Sequence, residues 1–143
     1  DVDVGCFLSG GVDSSIIAAI ASKEISNLRT YTIGFEKGED PYGGSNDESH
    51  YAQEFAEKLN TNHKTIRVKS SDFKNILEEF VYYADQPFGV SSGLGIYLIT
   101  KEARKDGVKV LLSGDGADEF FGGYSWYKYL KRWTMKQKIV MRC

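Results

Sequence analysis

Ser9-Gly10-Gly11-Val12-Asp13-Ser14-Ser15 stands directly after the apolar run Val4 to Leu8 and directly before the helical run Ile16 to Ile25. A strand that ends in Ser-Gly-Gly turns sharply, and two residues without side chains let a ligand approach bare backbone N–H groups. The helix that follows opens with N–H groups that lack internal partners and a dipole that favours an anion. The hydroxyls of Ser9, Ser14 and Ser15 are further donors to phosphate oxygens. A carboxylate beside a phosphate is repulsive unless a cation lies between them, so Asp13 points to Mg²⁺ bridging the two. The stretch lacks the Lys of G-x-x-x-x-G-K-[ST] and the spacing of G-x-G-x-x-G, which excludes both commoner nucleotide loops. A Ser-capped helix needing no ligand explains one Ser, but not two Gly, three Ser and an Asp together.

Outward from this stretch, strand and helix patterns alternate. Ile16, Ile17, Ile20 and Ala21 form the apolar stripe expected for the first helix, and Thr30 to Phe35 reads as the second strand. A polar, Gly-rich loop spans Glu36 to Gly44, and Ser45 with Glu48 has capping-box spacing for a helix over residues 47 to 59, whose face is Ala52, Phe55, Ala56 and Leu59. His63 to Val68 is the third strand, and Ser70, Ser71 and Asp72 offer a cap to a helix with Phe73, Ile76, Leu77, Phe80, Val81 and Ala84 on one face. Asp85 to Gly95 reads as a loop, and Ile96, Ile99 and Ala103 as a helix stopped by Gly107. Val108 to Leu112 is the fourth strand, with the near-continuous apolar run of a strand buried on both faces. Strands separated by helices predict an α/β fold: a doubly wound parallel sheet with helices on both faces, in the order 3-2-1-4.

After the fourth strand comes Ser113-Gly114-Asp115-Gly116-Ala117-Asp118-Glu119, again Ser-Gly after a buried strand, now with three carboxylates within five residues. Such crowding is costly unless cations or basic substrate groups neutralise it, although a Gly-rich turn with a solvated acidic cluster has the same composition. In the order 3-2-1-4 the first and fourth strands are neighbours whose connections leave toward opposite sides, which is where ligands bind in open α/β sheets. The two loops then face one crevice, where Asp13 and Asp118 are placed to share a metal.

At 143 residues the chain has the size of one domain. A net charge of -2 and a pI near 5.7 give no electrostatic reason to expect nucleic acid or a membrane surface. No apolar run approaches the ~20 residues of a membrane span, and no signal peptide is visible. Two cysteines, Cys6 and Cys143, fit a reduced, cytoplasmic protein. Starting without Met and ending after an aromatic-basic run, the sequence reads as a piece of a longer polypeptide. His50 and His63 are too lightly accompanied for a metal pair and read as solvated or capping residues, and Cys6 reads as core packing. Trp126, Tyr127, Tyr129, Leu130 and Trp133, interleaved with Lys128, Lys131 and Arg132, read as a helix that packs on further sequence rather than as a nucleic-acid platform, with self-association into a homodimer as a corollary.

Together, LSGGVDSS and SGDGADEFFGGY resemble the synthetase domain of the glutamine-dependent asparagine synthetase family, within the ATP-pyrophosphatase (PP-loop) superfamily. Tyr31-Thr-Ile-Gly-Phe35, Asn46-Asp-Glu48 and Asp85-Gln-Pro-Phe88 are similar to family segments as well. The resemblance implies that residues 1–143 are part of an ATP-binding synthetase domain, the glutaminase domain that supplies ammonia lying outside it. It implies adenylation of a carboxylate, expected to be the aspartate side chain, by ATP with Mg²⁺, and then displacement of AMP by ammonia. By this resemblance Leu8, Ser9, Gly10, Gly11, Asp13 and Ser14 hold ATP, Ile33 and Gly34 meet the adenine, and Ser113 and Gly114 the adenosine. Asp13 and Asp118 take the metal. Asp115 and Asp118 are the expected catalytic residues, Asp115 standing where many members have Glu. A β-lactam synthetase-like or sugar-acid amidotransferase ligase, and a non-catalytic nucleotide-binding module, are the alternative readings.

Overall fold

The computed structural model describes residues 2–39, 47–90, 92–127 and 129. Four strands, β1 (Val4–Phe7), β2 (Arg29–Phe35), β3 (Asn62–Val68) and β4 (Val110–Leu112), form one parallel sheet in the order β3-β2-β1-β4. Between them run α1 (Val12–Glu24), α2 (Ser49–Leu59), α3 (Ser70–Ala84) and α4 (Ser92–Lys105), and α5 (Ala117–Phe121) follows β4. The chain divides into two units, residues 1–113 with the sheet and residues 114–143 with α5.

Two apolar layers lie against the sheet, as the doubly wound reading expects. On one face Cys6 and Leu8 pack with Ala18 and Ala21 of α1 and Ala52 and Ala56 of α2, edged by Ile17, Phe55 and Leu59. On the other, Tyr31 packs with Ile99 and Ala103 of α4 and Val108, joined by Phe7, Ile33, Ile66 and Leu111. The centre of β1 has no space for a side chain, since a Cβ at Gly5 would lie 2.9 Å from the Arg29 carbonyl oxygen and 3.1 Å from Leu111.

Several boundaries and faces differ from expectation. The buried side of α1 is built from Ser14, Ser15, Ala18 and Ala21, while Val12, Ile16 and Ile20 form an exposed second line. Small residues bring the helix close to the sheet, and that close approach selects the face over bulk hydrophobicity. The strand β4 starts at Val110 because Val108 is used earlier: its N–H donates to the Ala103 carbonyl and closes α4, with Gly107 at φ +87°. It is not buried on both faces, as Val110 is 41% and Leu112 37% exposed.

Helix α2 begins at Ser49, and the expected cap Ser45 lies outside the described residues, as do positions 40–44 of the Gly-rich loop. The hydroxyls of Ser70 and Ser71 do not cap α3. Asp72 reaches back to accept from the Lys69 N–H at 2.9 Å, and Glu39 accepts from both the N–H and the hydroxyl of Ser70. Of the face assigned to α3 only Ile76 is buried. Leu77 and Val81 instead line a cavity of about 690 Å³ with Phe80, Phe88, Val90 and Leu94. Helix α4 starts at Ser92, ahead of the expected Ile96, and at buried Gly93 the missing side chain leaves room for the Phe88 ring. Most of the aromatic-basic run is outside the described residues.

His63 is half-buried in β3 and caps no helix: its Nδ1 pairs with Thr30 Oγ1 at 2.9 Å and its Nε2 with Thr65 Oγ1 at 3.3 Å. Burial pushes its pKa below the usual value and favours the neutral ring. Cys6 is core, fully enclosed, with burial pushing its thiol up to about 11.

Candidate nucleotide site at the carboxyl edge of the sheet

The first loop is shaped by its own hydroxyls. Leu8 is fully buried, and its N–H donates to the Tyr31 carbonyl at 2.8 Å, prolonging the β1–β2 pairing by one residue. Ser14 Oγ accepts from the Ser9 N–H at 3.1 Å, lies 2.9 Å from Ser9 Oγ and donates to the Gly11 carbonyl at 3.2 Å. Ser9 Oγ in turn accepts from the Gly11 N–H. Gly10 adopts φ +87°, and a Cβ there would lie 2.7 Å from Tyr51 Cβ and 2.9 Å from the Ala52 nitrogen. Two independent constraints therefore require Gly at position 10: a left-handed backbone and the close approach of α2.

This arrangement reassigns the three serines. Ser9 is exposed and Ser14 buried, and both spend their hydroxyls on the turn. Ser15 Oγ is buried without a partner among the described residues, so it is not the surface donor expected from sequence. What the turn leaves over is backbone: Gly11 is the N-cap of α1, and Val12, Asp13 and Ser14 supply first-turn N–H groups without intrahelical acceptors. Asp13 is exposed in that first turn.

The end of β2 lies alongside. Ile33 and Gly34 point to opposite faces. Ile33 joins the α4 layer, with its Cδ1 3.4 Å from where a Gly95 Cβ would be. Gly34 faces α2, and a Cβ there would be 2.9 Å from Ser49 Oγ and 2.8 Å from an Arg67 guanidinium nitrogen.

A group not singled out from sequence holds this corner. Asp47 Oδ2 accepts from the Phe35 N–H at 3.2 Å and from Arg67 at 2.9 Å, and its Oδ1 accepts from the Ser49 N–H at 3.0 Å. Arg67 also donates to the Phe35 carbonyl at 3.2 Å. Burial raises the Asp47 carboxyl, but the bonds from Ser49 and Phe35 and the Arg67 charge outweigh it and hold the group below the usual carboxylate range. Asp47 falls within a segment quoted for its family resemblance, but its partner is 20 residues away and is brought to it only by the Gly34–Arg67 register of the β2–β3 pair.

Strand β4 pairs with β1 in parallel, Cys6 opposite Leu112, so Ser113 emerges from the same sheet edge as Ser9. Gly114, Asp115 and Asp118 belong to the second unit. There Gly116 caps α5 at φ +91°, Asp115 is exposed and Asp118 half-buried in the first turn. A Cβ at Gly123 would collide with the Asp118 carboxylate. Glu119 accepts from the Tyr124 hydroxyl at 2.8 Å, a bond that pushes that phenol up to about 12. Among the described residues no group of three or more His, Cys, Asp or Glu is gathered around a common point. A carboxylate such as Asp13 still fits Mg²⁺, a hard cation that takes one or two carboxylates and draws its remaining ligands from phosphate and water.

The parallel sheet in the order β3-β2-β1-β4 and the Lys-free loop at the head of α1 give the first unit the fold of the PP-loop ATP pyrophosphatases. A solved structure of this fold, the glutamine-dependent NAD⁺ synthetase from Acinetobacter baumannii in complex with ADP, superposes with a TM-score of 0.54 over 87% of this chain and 24% of that one, at 19% identity. The family model for asparagine synthase matches residues 1–141, and the chain belongs to that family. Relatives include a putative glutamine-hydrolysing asparagine synthetase of Mycobacterium bovis, 43% identical over 90% of this chain and 19% of its own length. Another is the glutamine-hydrolysing asparagine synthetase 1 of Bacillus subtilis, 39% identical over 90% of this chain and again 19% of its own. The chain thus spans about a fifth of the length of the curated relatives it matches. Among the described residues no helix is long and apolar enough to cross a membrane.

Proposed function

We propose that this chain is the ATP-binding part of an amide ligase of the asparagine synthetase type. The observation that carries the reading is the Ser9–Ser14 turn: a Lys-free loop, fixed by Gly10 against α2, that opens α1 beside the end of β4 with first-turn N–H groups lacking intrahelical acceptors. Leu8, Ser9, Gly10, Gly11, Asp13 and Ser14 hold ATP at its pyrophosphate end, chiefly by backbone N–H. Ile33 and Gly34 meet the adenine, and Ser113 and Gly114 the ribose side. Asp13 and Asp118 hold Mg²⁺, which supplies charge neutralisation at the phosphates. Asp115 stands toward the acyl substrate, for which the aspartate side chain is the proposed acid.

In this reading the substrate carboxylate oxygen attacks the α-phosphorus, the bond to the pyrophosphate oxygen breaks, and an acyl-AMP forms. Ammonia then attacks the acyl carbon, AMP leaves with the C–O bond electrons, and the nitrogen loses a proton to give the amide. The loop's contribution is to orient the triphosphate and stabilise the charge that grows on departing pyrophosphate. No protein nucleophile is needed. The ammonia source is a glutaminase domain of the kind that the relatives' glutamine-hydrolysing names describe. A cytoplasmic setting accompanies this reading.

Incubation of the full-length protein that contains this chain with α-labelled ATP, Mg²⁺, ammonia and aspartate tests it. The expected products are AMP and pyrophosphate, formed only when the acid is present. Acid-dependent ADP without AMP overturns it.

A further inference from the structure

We infer that Asp47 and Arg67 are positioning residues that set the distance between the two halves of the nucleotide site, and so make one ligand out of base and phosphates. The inference rests on the reading of the Ser9–Ser14 turn and the Ile33–Gly34 strand end as that site. Asp47 and Arg67 hold the N–H and carbonyl of the same residue, Phe35, directly after Gly34. The other oxygen of Asp47 holds the Ser49 N–H, at the first residue of α2. From Ser49 the contacts divide: Ser49 itself closes over Gly34, while Tyr51 and Ala52, a half-turn further on, close over Gly10. A single carboxylate therefore fixes the end of β2 and the helix against which the phosphate loop is seated. Both side chains are committed to backbone groups and to each other. Arg67 is about half exposed, which leaves it open to substitution without loss of core.

A ligand that binds through two linked parts gains affinity only if the two subsites are held at the spacing of its linker. Loosening the clamp should therefore weaken ATP, which spans both subsites, and spare inorganic pyrophosphate, which occupies one. The experiment is calorimetric titration of the chain with MgATP and with magnesium pyrophosphate, for the unsubstituted protein, Asp47→Asn and Arg67→Lys, with circular dichroism to follow folding.

The expected result is a loss of about tenfold in ATP affinity for both variants, with pyrophosphate affinity changed by less than about twofold. Equal losses for both ligands, or ATP affinity unchanged in folded Arg67→Lys, overturn the inference. Should Asp47→Asn fail to fold, Arg67→Lys decides, because it keeps the charge and removes the guanidinium nitrogen, Nη1, that makes both bonds. Absence of ATP binding by the unsubstituted protein overturns the nucleotide reading itself, and is distinguished by appearing before any substitution is made.

Discussion

The two ends of the same strands differ in what they leave unpaired. At the amino edge, Arg29, Tyr31, Lys64, Glu102 and Asp106 satisfy one another: Lys64 donates to Asp106 at 3.0 Å and Glu102 at 3.2 Å, Arg29 to the Asp106 carbonyl at 2.6 Å, and the buried Tyr31 hydroxyl to the Asp106 carboxylate at 3.2 Å. Lys64 hydrogen bonding holds the Asp106 carboxyl low, and Asp106 in turn keeps the Lys64 ammonium high. At the carboxyl edge, the side-chain hydroxyls of Ser9 and Ser14 are spent on the turn, and first-turn N–H groups of α1 have no intrahelical acceptor. Both edges hold compensated charges, Lys64 with Asp106 at one and Arg67 with Asp47 at the other, but the carboxyl edge also carries the start of α1, whose first N–H groups lack intrahelical acceptors and suit an anion.

The sharpest way to break this contrast is Gly10→Val. The left-handed backbone and the contact with Tyr51 and Ala52 both oppose a side chain, so roughly 2–4 kcal/mol of stability should be lost together with MgATP binding, read by urea unfolding and calorimetry. A variant as stable as the parent that still binds ATP would remove the basis for the loop's assignment.

Asp106→Ala addresses the opposite edge. It leaves the Tyr31 hydroxyl and Lys64 without their shared acceptor, and should cost about 1–2 kcal/mol while leaving ATP affinity unchanged. Loss of ATP affinity in the folded variant would contradict a purely structural amino edge.

Ser15→Ala separates buried from presented hydroxyls. Removal of a buried, unpartnered hydroxyl should raise stability by about 1 kcal/mol and leave nucleotide binding intact. Weaker ATP binding would restore Ser15 as a phosphate donor.

The smallest effect concerns His63. Its pKa is depressed in the folded state, so the neutral ring favours folding: this stability is full above the ordinary value of 6.5 and is lost as pH falls from there through the folded pKa. Melting temperatures between pH 7 and 5 should decline less steeply in His63→Gln than in the parent. Parallel slopes would show that other groups govern this range.

The sheet order and its switch point were legible because they depend on periodicity and on Gly at strand ends, features written locally in the chain. The face of α1 was not, since Ile16 and Ile20 outweigh Ala18 and Ala21 in hydrophobicity, yet only the smaller pair permits the helix's close approach. Nor was the start of β4, where Val108 serves the end of α4 before the strand begins. The residue types of Ser9 to Ser14 specify a turn, but its internal hydrogen bonds follow from the turn's geometry, which spacing alone does not specify. Asp47 and Arg67 were missed because their pairing is a product of strand register.

Cys6 lies in the centre strand, enclosed on all sides, with a thiol held neutral. A reagent that attacks only thiolates cannot reach it until β1 parts from β2 and β4, so its rate of alkylation is a clock for the opening of the sheet. With Cys143 replaced by Ser, that clock would be the chain's sole thiol, and its slowing by MgATP would measure how firmly a ligand at one edge closes the strands beneath it.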